Sequence, residues 1–408
     1  MTIEVVPFLI DKIETGGAEK VILRIASYFT PEINAHIFTS VQSEGLANYD
    51  LSGLHVHNSK VKISDNYVSK IFSIIYQIVT LVKFIRYNRC RKVVSFLDRS
   101  NFICVIAAKL TGVRSVVSVR NNIEYQYSSN SKFKGLLSKC ILRIIYSNAD
   151  TIIALSKGVE QQLLTNYGLN KYKIRVIYNP YPINYMYQKG QEEIVNNFEL
   201  QSIIENGYFI SVGRLSLQKD HEVLLVCFSK YVCNGGVNNL IILGEGELKE
   251  SLVCLVSKLD LHNRVFFLGY RDDALSLIAK ADAFLFSSKW EGFGNACLEA
   301  MAVGTYIISS DCDFGPKEIL DVVGSHSYPV QTLYGTLTSK LDNRDEESIA
   351  QFVSALLDSG LRESHNPHNS LTRALEFDQS KIFYKWAEVI MDEPTELYKN
   401  FGKKNEHY

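Results

Sequence analysis

Two cations and two carboxylates in the second half of the chain have the types and spacing to do chemistry on a diphosphate and on hydroxyl groups. Arg214 and Lys219 lie five residues apart in Gly213-Arg214-Leu215-Ser216-Leu217-Gln218-Lys219-Asp220. A planar guanidinium fork and a mobile ammonium together suit a diphosphate. The same loop also fits a solvated turn with two surface charges. Glu291 and Glu299 lie in Glu291-Gly292-Phe293-Gly294-Asn295-Ala296-Cys297-Leu298-Glu299-Ala300-Met301-Ala302-Val303-Gly304. The pattern predicts a helix starting near Asn295 and ending before Gly304, a residue that terminates helices readily. The first N–H groups of such a helix attract phosphate or sugar oxygens. Two carboxylates beside an anion site make sense if each accepts hydrogen bonds from sugar hydroxyls. Taken one by one, Glu299 also reads as an exposed helix residue and Glu291 as a loop acid.

These residues need a scaffold, and the chain offers alternating short apolar runs and amphipathic stretches. The first half contains Ile3–Leu9, His36–Ser40, Val93–Leu97, Val113–Val119, Thr151–Leu155 and Ile174–Ile177. The second contains Tyr208–Val212, Leu240–Leu243, Val265–Leu268, Ala283–Phe286 and Tyr306–Ser309. Helical patterns such as Ala18–Phe29, Leu136–Tyr146 and Leu275–Ala279 separate them. Apolar strands alternating with helices predict an α/β protein with parallel sheets covered on both faces. Three strands in succession end at glycine, Gly213, Gly244 and Gly269, which suggests a ligand lying close over the backbone at that edge. Asn179-Pro180-Tyr181-Pro182 and the polar stretch that follows mark a junction near 180–205. A ligand crevice is expected between the two halves.

The first strand runs into Glu14-Thr15-Gly16-Gly17-Ala18-Glu19 before a helix. Paired glycines there allow backbone N–H groups to approach an anion, although they serve simple turns as often. The loop is no Gly-x-Gly-x-x-Gly fingerprint, so a nicotinamide cofactor is not implied.

Composition removes other classes. A chain of 408 residues calls for two domains rather than one. With 46% hydrophobic and 21% charged residues it is globular, and a net charge of -1 argues against a general nucleic-acid partner. The eight cysteines form no Cys-x-x-Cys pair, which fits a reducing compartment and gives no zinc motif. His55 and His57 fall in a predicted loop and are not read as a metal site. The N-terminus reads as a strand and loop rather than a signal peptide. The longest apolar run, Ile71 to Ile85, is interrupted by Ser73, Gln77, Thr80 and Lys83 on one stripe. It reads as a core helix with a narrow wet edge rather than a membrane span. The tail after Asp392 is polar and expected to fray.

In this order and spacing, Gly213-Arg214 with Lys219, Gly244-Glu245-Gly246, and Glu291 and Glu299 separated by seven residues resemble the large retaining glycosyltransferase family four. The match is best over Tyr208 to Leu320 and looser through Gly16-Gly17-Ala18-Glu19. Asp311-Cys312-Asp313-Phe314-Gly315-Pro316-Lys317-Glu318-Ile319 is similar to a subset that builds bacterial surface polysaccharides from UDP-sugars. The resemblance implies a GT-B fold, two facing Rossmann-like domains with a crevice between them. The first, 1–180, would take the acceptor; 181–205 would link; 206–380 would bind the nucleotide-sugar donor. A C-terminal helix and tail, 381–408, would follow, the helix packing back on the first domain.

By the same resemblance Arg214 and Lys219 would hold the donor diphosphate and stabilise the leaving group. Glu291 would lie by the donor sugar, and Glu299 would accept from the ribose hydroxyls. Gly244 and the backbone of Phe293, Gly294 and Asn295 would line the donor site, with Gly17 near the phosphate from the other domain. No cofactor and no metal are implied. The chain departs from the family at Ser118-Val119-Arg120-Asn121-Asn122, where Val119 stands in place of a frequent Glu. Arg120 and Asn121 are the candidate acceptor contacts there.

The implied activity is retaining transfer of a hexose or N-acetylhexosamine from a UDP-sugar to a glycan acceptor, of a lipid-diphosphate-linked type. A UDP-sugar epimerase of the same fold and a non-catalytic nucleotide-sugar-binding subunit are the alternatives. Two basic stretches, Lys83 to Lys92 and Lys132 to Tyr146, suggest work in the cytoplasm against an anionic inner membrane face. Both also read as ordinary surface helices with solvated cations.

Overall fold

A computed structural model of the chain describes residues 3–14, 17–30, 32–41, 43, 50–59, 67–120, 132–194, 198–324 and 327–391. The chain folds as two compact units, Met1–Pro180 with Gln379–Tyr408, and Tyr181–Asp378.

The first unit is built on seven strands: β1 (Glu4–Ile10), β2 (Ile33–Thr39), β3 (His55–His57), β4 (Lys92–Phe96), β5 (Arg114–Val119), β6 (Thr151–Ala154) and β7 (Ile174–Val176). Their order is β3-β2-β1-β4-β5-β6-β7, all parallel. Central strands such as Lys92-Val93-Val94-Ser95-Phe96 are buried throughout, because helices cover both faces. β2, next to the edge, alternates buried and half-buried residues. The strand order reverses once, between β1 and β4, so the loops leaving those two strands diverge to opposite faces and open a niche at the carboxyl edge.

The core of this unit joins Phe8 and Ile10 of β1, Ile25 and Phe29 of the helix Gly17–Phe29, and Phe383, Trp386 and Ile390 of the last helix, Gln379–Ile390. Trp386 is fully buried and stacks on Phe96 with ring centroids 5.7 Å apart. The final helix therefore belongs to the first unit in its packing. Lys92 is also fully buried; its Nζ donates to the Ile390 carbonyl at 2.6 Å and lies 3.8 Å from Glu4. A cation at a helix C-terminus is favourable, and Lys92 is thus no part of a surface basic patch.

The second unit contains β8 (Tyr208–Val212), β9 (Asn239–Leu243), β10 (Val265–Gly269), β11 (Ala283–Phe286), β12 (Ile307–Ser310), β13 (Val330–Gln331) and β14 (Gly335–Thr338). Their order is β10-β9-β8-β11-β12-β14-β13, parallel except for β13 against β14. Here the order reverses between β8 and β11. The segment expected as a linker carries two helices, Ile183–Gly190 and Phe198–Glu205. Gly190 fits close to Val303, whose Cγ1 would lie 2.8 Å from an added Cβ.

The helix Tyr67–Asn88 differs most from the sequence reading. Ser73 is buried, accepting from Arg99, and Gln77 is half-buried, donating to the Ser40 carbonyl. Ile71, Phe72, Ile75, Tyr76 and Val79 are exposed instead. The two polar residues turn inward because they meet partners at strand and helix ends, and the apolar row is left outside. Only Thr80 and Lys83 of the expected wet edge face out. His55 and His57 are likewise not in a loop. They form edge strand β3, and His57 Nε2 lies 2.8 Å from His36 Nδ1 on β2. Among the described residues no cluster of three or more ligands suited to a metal ion is present, and no helix is long and apolar enough to cross a membrane.

Candidate functional site

Where the order reverses between β8 and β11, the loops leaving those strands run side by side at the carboxyl edge. They are stitched together. Lys289 N donates to the Gln218 carbonyl at 2.8 Å, Gln218 Nε2 to the Trp290 carbonyl at 3.0 Å, and Ser287 Oγ to the Lys219 carbonyl at 3.0 Å. Asp220 Oδ1 lies 3.1 Å from Lys289 Nζ. The stitching fixes two side chains against each other. Lys219 Nζ donates to Glu291 Oε1 at 2.6 Å, and Ser288 Oγ donates to the same oxygen at 2.9 Å. The ammonium also sits 5.2 Å from the Phe286 ring centroid.

The Lys219 and Glu291 side chains keep only 19% and 10% of their exposure. A pair this desolvated is sensitive to loss of either partner, because the survivor is a buried uncompensated charge. An ammonium has three N–H donors, so Lys219 can address an incoming anion while retaining Glu291. Neighbouring groups add little charge around the pair. Burial, reinforced by the Lys219 charge, pushes His221 down to about 4, so its imidazole is neutral near pH 7. Burial raises Asp220, and the hydrogen bond and charge of Lys289 pull it back. Burial also lifts the Cys297 and Cys312 thiols far above their usual range, which removes both as nucleophiles.

Arg214 stands apart from the buried pair. Its side chain is 76% exposed, with Nε 3.4 Å from Glu247 Oε2, a contact that solvent screens. It is an exposed cation near the rim of the loop.

The glycines at the strand ends serve the loops themselves. Gly244 has φ +136°, and an added Cβ would lie 2.0 Å from the Gly213 carbonyl oxygen. A Cβ on Gly246 would meet the Leu215 backbone at 2.3 Å. Close approach of neighbouring loop backbones selects glycine here, a reason independent of any ligand.

Beyond Glu291 the chain enters the helix Asn295–Ala302, within the range expected. Its N-cap is Gly294, with φ +94° and no side chain to cover the first N–H groups. Asn295 Oδ1 accepts from the Tyr181 hydroxyl. Phe293 is buried, its ring 5.3 Å from that of Phe377, so its backbone is what a ligand could meet. Gly315 presses on the same backbone: its added Cβ would lie 1.8 Å from the Phe293 carbonyl oxygen. Glu299 is half-buried further along the helix.

In the first unit, Gly17 opens the helix Gly17–Phe29 and is exposed. Arg120 is buried. Its guanidinium donates to Ser118 Oγ at 3.3 Å and to Asn179 Oδ1, and lies 5.0 Å from the Phe96 ring centroid. Asn121 lies outside the described residues.

Thus the structure joins Lys219 to Glu291, sets the Gly294 helix terminus just after Glu291 in the chain, and leaves Arg214 on the loop rim. Sequence reading did not single out Gln218, Asp220, Ser287 and Ser288. Gln218, Asp220 and Ser287 act across gaps of about seventy residues, which no local pattern announces, whereas Ser288 acts on Glu291 only three residues away through a hydroxyl that reads as an ordinary loop serine.

Two family models match the chain. One, described as "Glycosyltransferase Family 4", covers residues 15–185, and the other, "Glycosyl transferases group 1", covers residues 195–323. Among curated relatives, a Campylobacter jejuni enzyme is 26% identical over 371 residues, covering 90% of this chain and 94% of its own. Its name is N-acetylgalactosamine-N,N'-diacetylbacillosaminyl-diphospho-undecaprenol 4-alpha-N-acetylgalactosaminyltransferase. The lipopolysaccharide 1,6-galactosyltransferase of Escherichia coli K12 is 29% identical over 60% of this chain and 62% of its own. Among solved structures, Anabaena HepE in complex with UDP and glucose superposes with a TM-score of 0.73 at 18% identity, over 94% of this chain and 98% of its own. WaaG, a glycosyltransferase involved in lipopolysaccharide biosynthesis, gives 0.70 at 19% identity, over 95% and 100%. With two parallel-sheet α/β units of this kind, the chain belongs to the family-four glycosyltransferases of the GT-B fold.

Proposed function

We propose that the chain transfers a hexose or N-acetylhexosamine from a UDP-sugar to a lipid-diphosphate-linked glycan, with retention at the anomeric carbon and without a metal ion. The observation that carries this reading is the Lys219–Glu291 pair at the β8/β11 reversal, followed in the chain by the uncovered helix terminus at Gly294. Lys219, Arg214 and the helix terminus would hold the diphosphate and stabilise charge on the departing phosphate, the task a metal performs elsewhere. Glu291 would meet the donor sugar and Glu299 the ribose. Support for UDP comes from the HepE complex, and support for the lipid-linked acceptor comes from the Campylobacter relative's name.

Turnover with radiolabelled UDP-sugars separates transfer from epimerisation and from binding without reaction. NMR of the product is expected to show an α-linkage from an α-linked donor, with activity intact in EDTA. An inverted centre overturns the retaining reading. Loss of activity in EDTA, restored by magnesium or manganese, overturns the metal-free account.

The helix Tyr67–Asn88 supports work at a membrane surface. Its outward apolar row, Ile71, Phe72, Ile75, Tyr76 and Val79, runs toward exposed Lys83, Arg86 and Arg89, an arrangement suited to an anionic lipid surface such as the cytoplasmic face of the membrane. In the second basic stretch Ile141 and Ile144 are exposed with Arg143, whereas Lys139 is half-buried, 5.6 Å from the Tyr167 ring centroid. Co-sedimentation with liposomes should rise with anionic lipid and fall with salt. Replacing Phe72 and Tyr76 with Ser, or Lys83 and Arg86 with Gln, should weaken it at unchanged thermal stability. A folded wild type that ignores anionic liposomes at low salt removes the membrane reading and leaves the transferase reading in place.

A further inference from the structure

The first unit has its own reversal of strand order, between β1 and β4, and a carboxylate sits there. Asp11 directly follows β1. The backbone N–H and the hydroxyl of Ser100, in the helix that follows β4, donate to its Oδ1 at 3.0 and 2.7 Å. Ser100 spends its one proton on Asp11, so Ser40, 2.9 Å away at the end of β2, donates to Ser100. Three strand ends thus converge on one carboxylate. Among the described residues Oδ2 of Asp11 receives no hydrogen bond.

A structural duty accounts for Oδ1 only. The helix Asp98–Thr111 starts after Leu97, which has no side-chain acceptor, and Asp11 supplies the missing cap from another strand. An asparagine oxygen would do the same without a charge. Burial raises the Asp11 carboxyl to about 6, with the Asp98 charge adding to the rise and the Ser100 hydrogen bonds and Arg99 opposing it. Lys12 and Glu14 on its own loop pair with each other at 2.7 Å. A folded pKa above the unfolded one means that the stabilising contribution is present at low pH and is lost as pH rises through about 6. At neutral pH the ionised Asp11 therefore weakens the fold. An ionised, nearly buried carboxylate with one oxygen open, at the edge where α/β units bind ligands, is placed for recognition rather than stability.

We propose that Asp11 Oδ2 accepts a hydrogen bond from a sugar hydroxyl of the acceptor glycan, bound on the first unit. This rests on the reading of the chain as a transferase whose acceptor binds that unit. Asp11 orients the hydroxyl, with the Ser40–Ser100 chain holding the carboxylate in place.

The test uses the full chain, UDP-N-acetylgalactosamine and the diphospho-undecaprenol-linked disaccharide of the Campylobacter relative, after a donor screen by thermal shift. Asp11→Asn keeps the cap and removes the charge. It should lower kcat/KM for the acceptor about 10- to 100-fold, the range for a lost charge-assisted hydrogen bond. Donor Kd should stay within about twofold, and the melting temperature at pH 8 should equal or exceed wild type. The wild-type kcat/KM profile for acceptor should fall below about pH 6, and Asp11→Asn should lack that limb. Ser100→Ala should move the limb to higher pH, since Ser100 holds the carboxyl down. Transfer by Asp11→Asn within about threefold of wild type, or an unchanged acid limb, overturns the assignment while the transferase reading stands. A wild type that transfers from no UDP-sugar overturns both.

Discussion

Lys219→Ala is expected to lower kcat by about 10²- to 10³-fold, with a much smaller change in donor Kd. Charge grows on the phosphate oxygen as the sugar leaves, and an ammonium largely shielded from solvent acts on that charge with little screening. Lys219 meets this condition, at 19% exposure and anchored 2.6 Å from Glu291. Its removal also leaves the Glu291 carboxylate with only the Ser288 hydroxyl as a donor among the described residues. Arg214→Ala should fall at the lower end of the same range, because solvent surrounds its guanidinium until a donor closes over it. Glu299→Gln should act differently, raising KM for donor with kcat nearly kept, since ribose contacts are shared by ground and transition states. Pre-steady-state kinetics with the donor found by thermal shift would separate these cases. A Lys219→Ala, Arg214→Ala double variant with near-normal kcat would falsify the assignment of the two cations.

Gly244→Ala is expected to destabilise the second unit by about 3–5 kcal/mol, lowering its melting temperature by roughly 10 °C, and to abolish donor binding. The added Cβ would overlap the Gly213 carbonyl oxygen at 2.0 Å, and φ +136° is unfavourable for any side chain. No rotamer relieves a clash with backbone, so the Gly213–Asp220 loop that carries Arg214 and Lys219 must move. Gly112→Ala provides the contrast. Its φ is +74°, but nothing lies within 4 Å of the new Cβ, so backbone strain of about 1 kcal/mol is the whole effect. Calorimetry and donor titration on both variants check the difference. Equal melting temperatures would mean that the loop tolerates the Cβ and that its packing does not position Lys219.

The amino-acid sequence by itself determined the alternation of strands and helices, because parallel strands buried on both faces are nearly continuous apolar runs. Tyr208–Val212 and Ala283–Phe286 stand in the structure with the bounds their apolar runs predict, and the helix at Asn295 begins where expected. Short edge strands such as His55–His57 and Val330–Gln331 left no such trace, since two or three residues paired on one side need no apolar run. The candidate residues were legible one by one, through the Gly213–Asp220 and Glu291–Gly304 segments. That Lys219 and Glu291 form a single desolvated pair was decided by the β8/β11 reversal, which lays two loops about seventy residues apart in the chain against each other. The inward turn of Ser73 and Gln77, the burial of Lys92 and the open oxygen of Asp11 were decided the same way. Periodicity specifies which residues share a face, but the identity of the partner on that face, whether carbonyl, carboxylate or solvent, exists only once distant strand ends have met.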